Sequence, residues 1–270
     1  MIPDGVEVAR DVAYATRSDG PQLLDVYWRS SGDPKPVIVW IHGGGWMGGD
    51  KSHCEAALSL LDDGYAVASI SYRLSHEATF PAQLHDCRAA VGWLRSNAET
   101  YNLNPRRIGA WGASAGGHLA ALLGTADGRL RHGDYSANGP PASVQAVCDW
   151  FGPTDFLRMN DQPGAIDHGS ADSPESRLVG GPIREHPDRV AEANPATYVT
   201  SACPPFLIMH GAQDDLVLPS QSEILHDALT RAGVPSELVT LEGLGHGFGP
   251  DYPERVMEPV REFFRRHLRP

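Results

Sequence analysis

The chain has 270 residues, 41% of them hydrophobic and 21% charged, enough to bury one core as a single domain over 1–270. Its formal charge of −12, from 22 Lys and Arg against 34 Asp and Glu, repels phosphate backbones and anionic lipid, which argues against nucleic acid and membrane surfaces as partners. No apolar run approaches the roughly 18 residues of a membrane span, and the N-terminal residues lack the basic-then-apolar pattern of a signal peptide.

A cytoplasmic setting with reduced thiols is therefore expected. Cys54, Cys87, Cys148 and Cys203 show neither a CxxC pair nor metal-ligand spacing, so no metal is expected. Cys87 and Cys148 read as small buried hydrophobes, and a disulfide stays open.

In chain order, residues 6–15 and 23–28 read as two strands around Ser18-Asp19-Gly20, an antiparallel hairpin at one sheet edge. The apolar run 37–41 is a strand buried on both faces, and 52–62 is a helix. Strand 66–70 follows, then a helix over 81–98 with Leu84, Cys87, Val91 and Leu94 on one stripe. Strand 107–111 runs into a turn at Ser114 and a helix over 115–123. Strands 144–148 and 206–209, helix 220–231, strand 237–241 and helix 253–267 complete the series.

Strands alternating with helices predict an α/β fold. It has a mostly parallel eight-stranded sheet, an antiparallel N-terminal edge and helices on both faces. Residues 152–200, after the sixth strand, break the rhythm with Pro, Gly, Asp and Ser. Ser173-Pro174-Glu175 reads as a helix start within them, Ser as cap and Pro in the first turn. The segment is either a cap over the sheet mouth or a solvated connection.

The turn at Ser114 is Gly112-Ala113-Ser114-Ala115-Gly116, a Gly-x-Ser-x-Gly placed between a strand and a helix. That context makes it a nucleophile elbow, with Ser114 at a helix N-terminus that favours developing negative charge; the plain alternative is a Gly-rich turn. About 70 residues earlier, at a strand end, stands His42-Gly43-Gly44-Gly45-Trp46. Its glycines let backbone N–H groups turn inward, and Gly44, Gly45 and Ala115 are the expected oxyanion donors. Each such donor is worth about 2.7–4 kcal/mol in a transition state. His42 is expected to hold the loop by hydrogen bonds, and Trp46 either lines the acyl pocket or packs beneath the loop.

A serine needs a base. His76, His132 and His186 fall in polar surroundings, and His118 rides on the helix leading away from Ser114, which suggests packing. His246, in a Gly-flanked loop after the last strand, opens on the same sheet edge as Ser114. An acid to orient it is expected after strand 206–209, where Asp214 and Asp215 stand side by side; Asp214 is preferred and Asp215 is the alternate. The plain reading of either is a cap for helix 220–231, which Pro219 and Ser220 already start. With an unperturbed histidine pKa of about 6.5, activity falls as His246 is protonated.

The set HGGGW, GASAGGH, HGAQDDLV and GLGHGF resembles the acetyl-esterase/lipase branch of the α/β-hydrolases. Closer still are short esterases of feruloyl-esterase and acetylxylan-esterase type. Residues 71–74, 80–86, 149–155 and 193–195 extend the resemblance over roughly 6–268. It implies an α/β-hydrolase fold with a cap-like insertion, the acid at Asp214, and Arg73 with Asp86 as a structural ion pair.

The expected activity is a serine carboxylesterase acting through an acyl-enzyme on small or short-acyl esters, acetyl or feruloyl esters of carbohydrate among them. It has no cofactor and a small-molecule ester as partner; a homodimer is open. An amide-cleaving enzyme such as an arylformamidase or peptidase is the alternative. A non-catalytic binding fold is more remote, because all three triad residue types are present.

Overall fold

The structure, a computed structural model, describes residues 2–17, 20–130, 141–249 and 252–269. Ser18 and Asp19 of the expected hairpin turn, and His132, lie outside the described residues.

Apolar runs become strands where the sequence places them. The strands are β1 (Glu7–Arg17), β2 (Gly20–Trp28), β3 (Lys35–Ile41), β4 (Ala66–Ile70), β5 (Leu103–Ala113), β6 (Ala146–Trp150), β7 (Phe206–Gly211) and β8 (Ser236–Leu241). They form one sheet in the order β1-β2-β4-β3-β5-β6-β7-β8. β1 pairs antiparallel with β2, and β2 antiparallel with β4. Every other pairing is parallel.

The pleat divides each central strand between two cores. Val37, Val39 and Ile41 of β3 face one side, where α2 (Ala82–Ser96), α3 (Ala115–Thr125) and α6 (Ser220–Arg231) pack. Ile38 and Trp40 face the other, with Trp111, Trp150 and the apolar side of α7 (Glu254–Leu268). All five residues of β4 are buried, as a strand covered on both faces requires.

Several boundaries depart from expectation, β5 starting at Leu103 rather than 107 and β2 at Gly20 rather than 23 among them, and two show their cause. The helix over 52–62 shrinks to α1 (Glu55–Leu58) and a 3-10 turn, Ser59–Leu61. Ser52 N is taken by the Asp50 side chain, and the Asp63 and Gly64 amides turn back onto Leu60 and Leu61. β6 starts at Ala146 rather than 144, because the Gln145 amide side chain binds Ile108 N and its own N–H reaches Ile108 O.

Residues 152–200 hold two short helices, α4 (Pro174–Val179) and α5 (Pro187–Ala193), and 3-10 turns at Phe156–Arg158 and Pro195–Tyr198. Ser173 caps α4 by accepting from Ser176 N, with Pro174 in the first turn. Leu178, Val179, Val190 and Ala193 are buried in the same core as α3, so the segment is packed onto the body of the fold. Arg73 and Asp86 form the expected buried pair, with Nε–Oδ2 at 2.9 Å.

β3 connects leftward to β4, while β5 connects rightward to β6. The carboxyl ends of β3 and β5 therefore bound a topological switch point, where α/β sheets bind ligands.

Candidate active site

β5 ends at Ala113 and α3 begins at Ala115, leaving Ser114 alone in the turn with φ 56° and ψ −122°. A left-handed non-glycine residue costs about 1–3 kcal/mol and persists only where its surroundings fix it. Here Ser114 N donates to Trp150 O at 2.8 Å, and Ser114 O accepts from His118 N at 3.0 Å. The flanking glycines allow the crowding: a Cβ on Gly112 would lie 2.1 Å from Gly116 O, and one on Gly116 would lie 2.0 Å from Ile41 O.

The structure brings Ser114, His246 and Asp214 together across 132 and 32 residues of chain. Ser114 Oγ donates to His246 Nε2 at 3.0 Å. His246 Nδ1 donates to Asp214 Oδ2 at 2.7 Å. The His246 ring lies against Phe151, centroids 4.6 Å apart. Asp214 is 3% exposed, whereas Asp215 faces solvent. The geometry therefore selects between the two adjacent acids.

Asp214 accepts on both oxygens. Leu216 N and Val217 N donate to Oδ1 at 3.0 and 2.9 Å, and His210 Nε2 donates to Oδ2 at 3.1 Å. Burial pushes its carboxyl up, but the bonds from His210, His246 and Val217 outweigh that and hold it well below the usual carboxylate range. His210 Nε2 also faces Val217 O at 2.7 Å; these two acceptors fix the proton on Nε2 and leave Nδ1 to accept from Ser222 Oγ at 2.7 Å. Asp214 caps its own turn and leaves the start of α6 to Pro219.

The loop after β3 is built from the backbone outward. Met47 N and Gly48 N both donate to Gly44 O, at 3.0 and 3.1 Å. Gly44 has φ +110°, and a Cβ there would lie 2.2 Å from Gly48 O, so no other residue fits. His42 Nδ1 donates to Gly43 O at 2.7 Å, and its ring stacks on Tyr72 at 4.3 Å. Burial lowers its pKa to about 4, so it is a neutral brace. His118 is also buried. It donates through Nε2 to Ala193 O at 2.7 Å, and burial lowers its pKa to about 4. His76 is exposed and His186 half-buried.

Two cavities meet at Ser114. The wider, about 420 Å³, holds Gly44, His246, Met47, Phe151 and Tyr252 in its wall. The narrower, about 70 Å³, is bounded by Gly45, Ala115, Trp46, Ile166, Pro174 and Glu175. Each of the three expected oxyanion donors thus lines a cavity that Ser114 also lines. Trp46 is buried, lies edge-on to His118 at 5.2 Å, and also lines the narrow cavity.

Three elements escaped the sequence reading. His210 shares Asp214 Oδ2 with His246; its signal was the four-residue spacing to Asp214. Asp149, at the end of β6, is fully buried and accepts from Gly152 N at 3.0 Å, and burial raises its pKa to about 7. His168 and Glu175 form a buried pair at 2.9 Å in the narrow cavity, with no periodicity in their segment to announce it.

An eight-stranded sheet with a Ser–His–Asp constellation at its switch point is an α/β-hydrolase. More closely, residues 24–229 match the BD-FAE family model, and the chain belongs to that family. Among relatives, it is 33% identical over 236 residues to Esterase LipC of Mycobacterium tuberculosis, covering 85% of this chain and 58% of LipC. The chain thus spans somewhat under three-fifths of that relative's length.

Among solved structures, a truncated carbohydrate esterase from gut microbiota superposes with TM-score 0.83 at 32% identity, covering 96% of this chain and 95% of the other. A bifunctional GH43-CE protein of Bacteroides eggerthii gives TM-score 0.84 at 34% identity, covering 96% of this chain and 38% of that one. No helix among the described residues is long and apolar enough to cross a membrane.

Proposed function

We propose that the chain is a serine carboxylesterase for short-acyl esters, with Ser114 as nucleophile, His246 as base and Asp214 as the acid that orients it. The observation that carries this reading is the continuous run Ser114 Oγ–His246 Nε2, His246 Nδ1–Asp214 Oδ2, at 3.0 and 2.7 Å.

In the first half-reaction Ser114 Oγ attacks the ester carbonyl while its proton passes to His246 Nε2. The tetrahedral oxyanion forms beside Gly44, Gly45 and Ala115, whose backbone amides receive it in this reading. Asp214, ionised well below neutral pH, stabilises the imidazolium and keeps the ring in the accepting tautomer. His246 then gives the proton to the leaving alkoxide. Water repeats the sequence on the acyl-enzyme and regenerates Ser114–OH.

The two cavities divide the substrate. The leaving oxygen must lie where His246 can protonate it, so the alcohol occupies the wide, aromatic-walled cavity that contains His246. The acyl group takes the narrow one, where about 70 Å³ admits a few heavy atoms. Of the two acyl groups expected, this volume favours acetyl over feruloyl. The likeness to a carbohydrate esterase and to Esterase LipC supports ester hydrolysis, and a carbohydrate alcohol suits the wide cavity.

Residues 152–200 act as a cap in this reading, since Ile166, Pro174 and Glu175 wall the acyl side. A cytoplasmic setting belongs to the same proposal, supported by four free thiols, three of them buried.

The test is a kcat/KM series over p-nitrophenyl acetate, butyrate, octanoate and ferulate, with an anilide of acetate in parallel. The expected result is a fall of at least tenfold from acetate to octanoate, and anilide turnover lower still. A profile that rises with acyl length contradicts the assignment of the narrow cavity.

A further inference from the structure

The narrow cavity beside Ser114 is not purely apolar. Among the described residues that line it, His168 and Glu175 are ionisable. They are 3% and 2% exposed. Glu175 stands in the first turn of α4, and His168 in the turn before it. Glu175 Oε1 meets His168 Nδ1 at 2.9 Å, and His168 Nε2 donates to Leu216 O at 2.8 Å.

The second carboxylate oxygen is different. Glu175 Oε2 is buried and reached by no hydrogen-bond donor of the described chain. A buried carboxylate oxygen left without a donor costs the desolvation of that group, about 1–3 kcal/mol or more when charged. Proteins rarely keep such a group without a use for it.

Glu175 also lines the cavity that Ser114 lines. Ser114, Ala115, Gly45, Pro174 and Glu175 all stand in its wall. An acyl chain attached to Ser114 that enters this space, about 70 Å³, shares it with Glu175. The Glu175–His168 pair is neutral as a whole when His168 is protonated. Burial lowers the His168 pKa, but Glu175 and the Leu216 carbonyl outweigh it and hold it above the usual 6.5. A net-neutral pair with a spare acceptor suits a neutral donor, a hydroxyl, over an ammonium group.

We propose that Glu175 is a specificity-determining residue, and that the acyl pocket selects short acyl groups bearing a hydroxyl on the second or third carbon, of the glycolyl and lactyl class. The hydroxyl donates to Glu175 Oε2, while His168 holds Glu175 in place and ties it to Leu216. Because the neighbouring Leu216 N donates to Asp214, the same pair braces the turn that carries the catalytic acid. The proposal rests on the reading of Ser114 as nucleophile and on the narrow cavity as the acyl side.

The experiment compares methyl glycolate with methyl propionate, and methyl 3-hydroxypropionate with methyl butyrate. Each pair differs by a hydroxyl in place of a methyl, with the alcohol held constant. Acid release is followed by titration, and each kcat/KM ratio is divided by the ratio for hydroxide-catalysed hydrolysis, which removes intrinsic reactivity. A site built to bind a hydroxyl discriminates strongly against the analogue that lacks it. At least one wild-type normalised ratio is therefore expected to exceed about tenfold in favour of the hydroxy ester, and the favoured ratio to fall to about one in Glu175→Met.

Wild-type ratios of about one for both pairs overturn the proposal, and so does a ratio that survives in Glu175→Met. The wild-type measurement stands alone where that variant does not fold. Failure of the underlying reading looks different: hydrolysis of all four esters would persist in Ser114→Ala.

Discussion

Asp214→Asn separates this account from any in which the acid is incidental. The carboxylate accepts four hydrogen bonds: two amides on Oδ1, and His210 with His246 on Oδ2. Asparagine has one acceptor oxygen and one donor NH2. Two amide donors on Oδ1 fix the oxygen there, which puts the NH2 where Oδ2 was, facing two imidazole nitrogens that both donate in the wild type. His246 must then turn its proton to Nε2, the atom that should receive the proton of Ser114.

The fold has no reason to be lost, but the base is in the wrong tautomer. The expected loss is about 10⁴-fold in kcat, the magnitude such a tautomer reversal brings in a Ser–His–Asp site. The assay is p-nitrophenyl acetate hydrolysis at pH 7.5, with circular dichroism as the fold control and Asp215→Asn as the partner variant. Asp215 is exposed and touches neither ring, so its variant should stay within about twofold of wild type. Comparable losses in the two variants, or a loss under tenfold in Asp214→Asn, refute the reasoning.

Other outcomes follow from the same structure. Gly44→Ala places a Cβ 2.2 Å from Gly48 O, so the loop must move; kcat on p-nitrophenyl acetate should fall by about 10²–10³, the cost of a lost oxyanion donor. Arg73→Met leaves the buried Asp86 with Arg17 as its remaining cation, so urea unfolding should show a loss below the roughly 3–5 kcal/mol of an uncompensated buried charge.

Asp149 keeps its proton up to about pH 7 when folded but releases it near 3.8 when unfolded. Its contribution to stability is therefore complete below pH 3.8 and lost as pH rises through about 7. Asp149→Asn mimics the protonated acid, so its stability relative to wild type should rise between pH 4 and 7 in denaturant titrations, then level off.

The central sheet was legible because a strand buried on both faces can only be an apolar run, and helices alternating with such runs leave few topologies. The elbow was legible because its glycines answer a steric demand: Gly112 and Gly116 stand where a Cβ would strike backbone. His246 could be found from its position after the last parallel strand. The choice of Asp214 over Asp215 could not be made from residue type, because both are carboxylates in one turn. It depends on which side chain the Leu216 and Val217 amides pull inward.

The Glu175–His168 pair escaped for a related reason. The six residues between its members lie in a segment without periodicity, and what unites the pair is burial against Leu216, 41 residues beyond Glu175 in the chain. The over-long helix at 52–62 shows the opposite error, where composition suits a helix but the Asp50 side chain and the Gly64 turn take its end amides.

The central claim is that Ser114 is the nucleophile activated by His246 and Asp214. A fluorophosphonate probe tests it most directly, with intact-mass and peptide-level mass spectrometry of the labelled protein. One adduct per chain, on Ser114, is the result this structure predicts, with labelling abolished in Ser114→Ala and slowed at least 10³-fold in His246→Ala. An adduct on another residue, or labelling of Ser114→Ala at the wild-type rate, contradicts it.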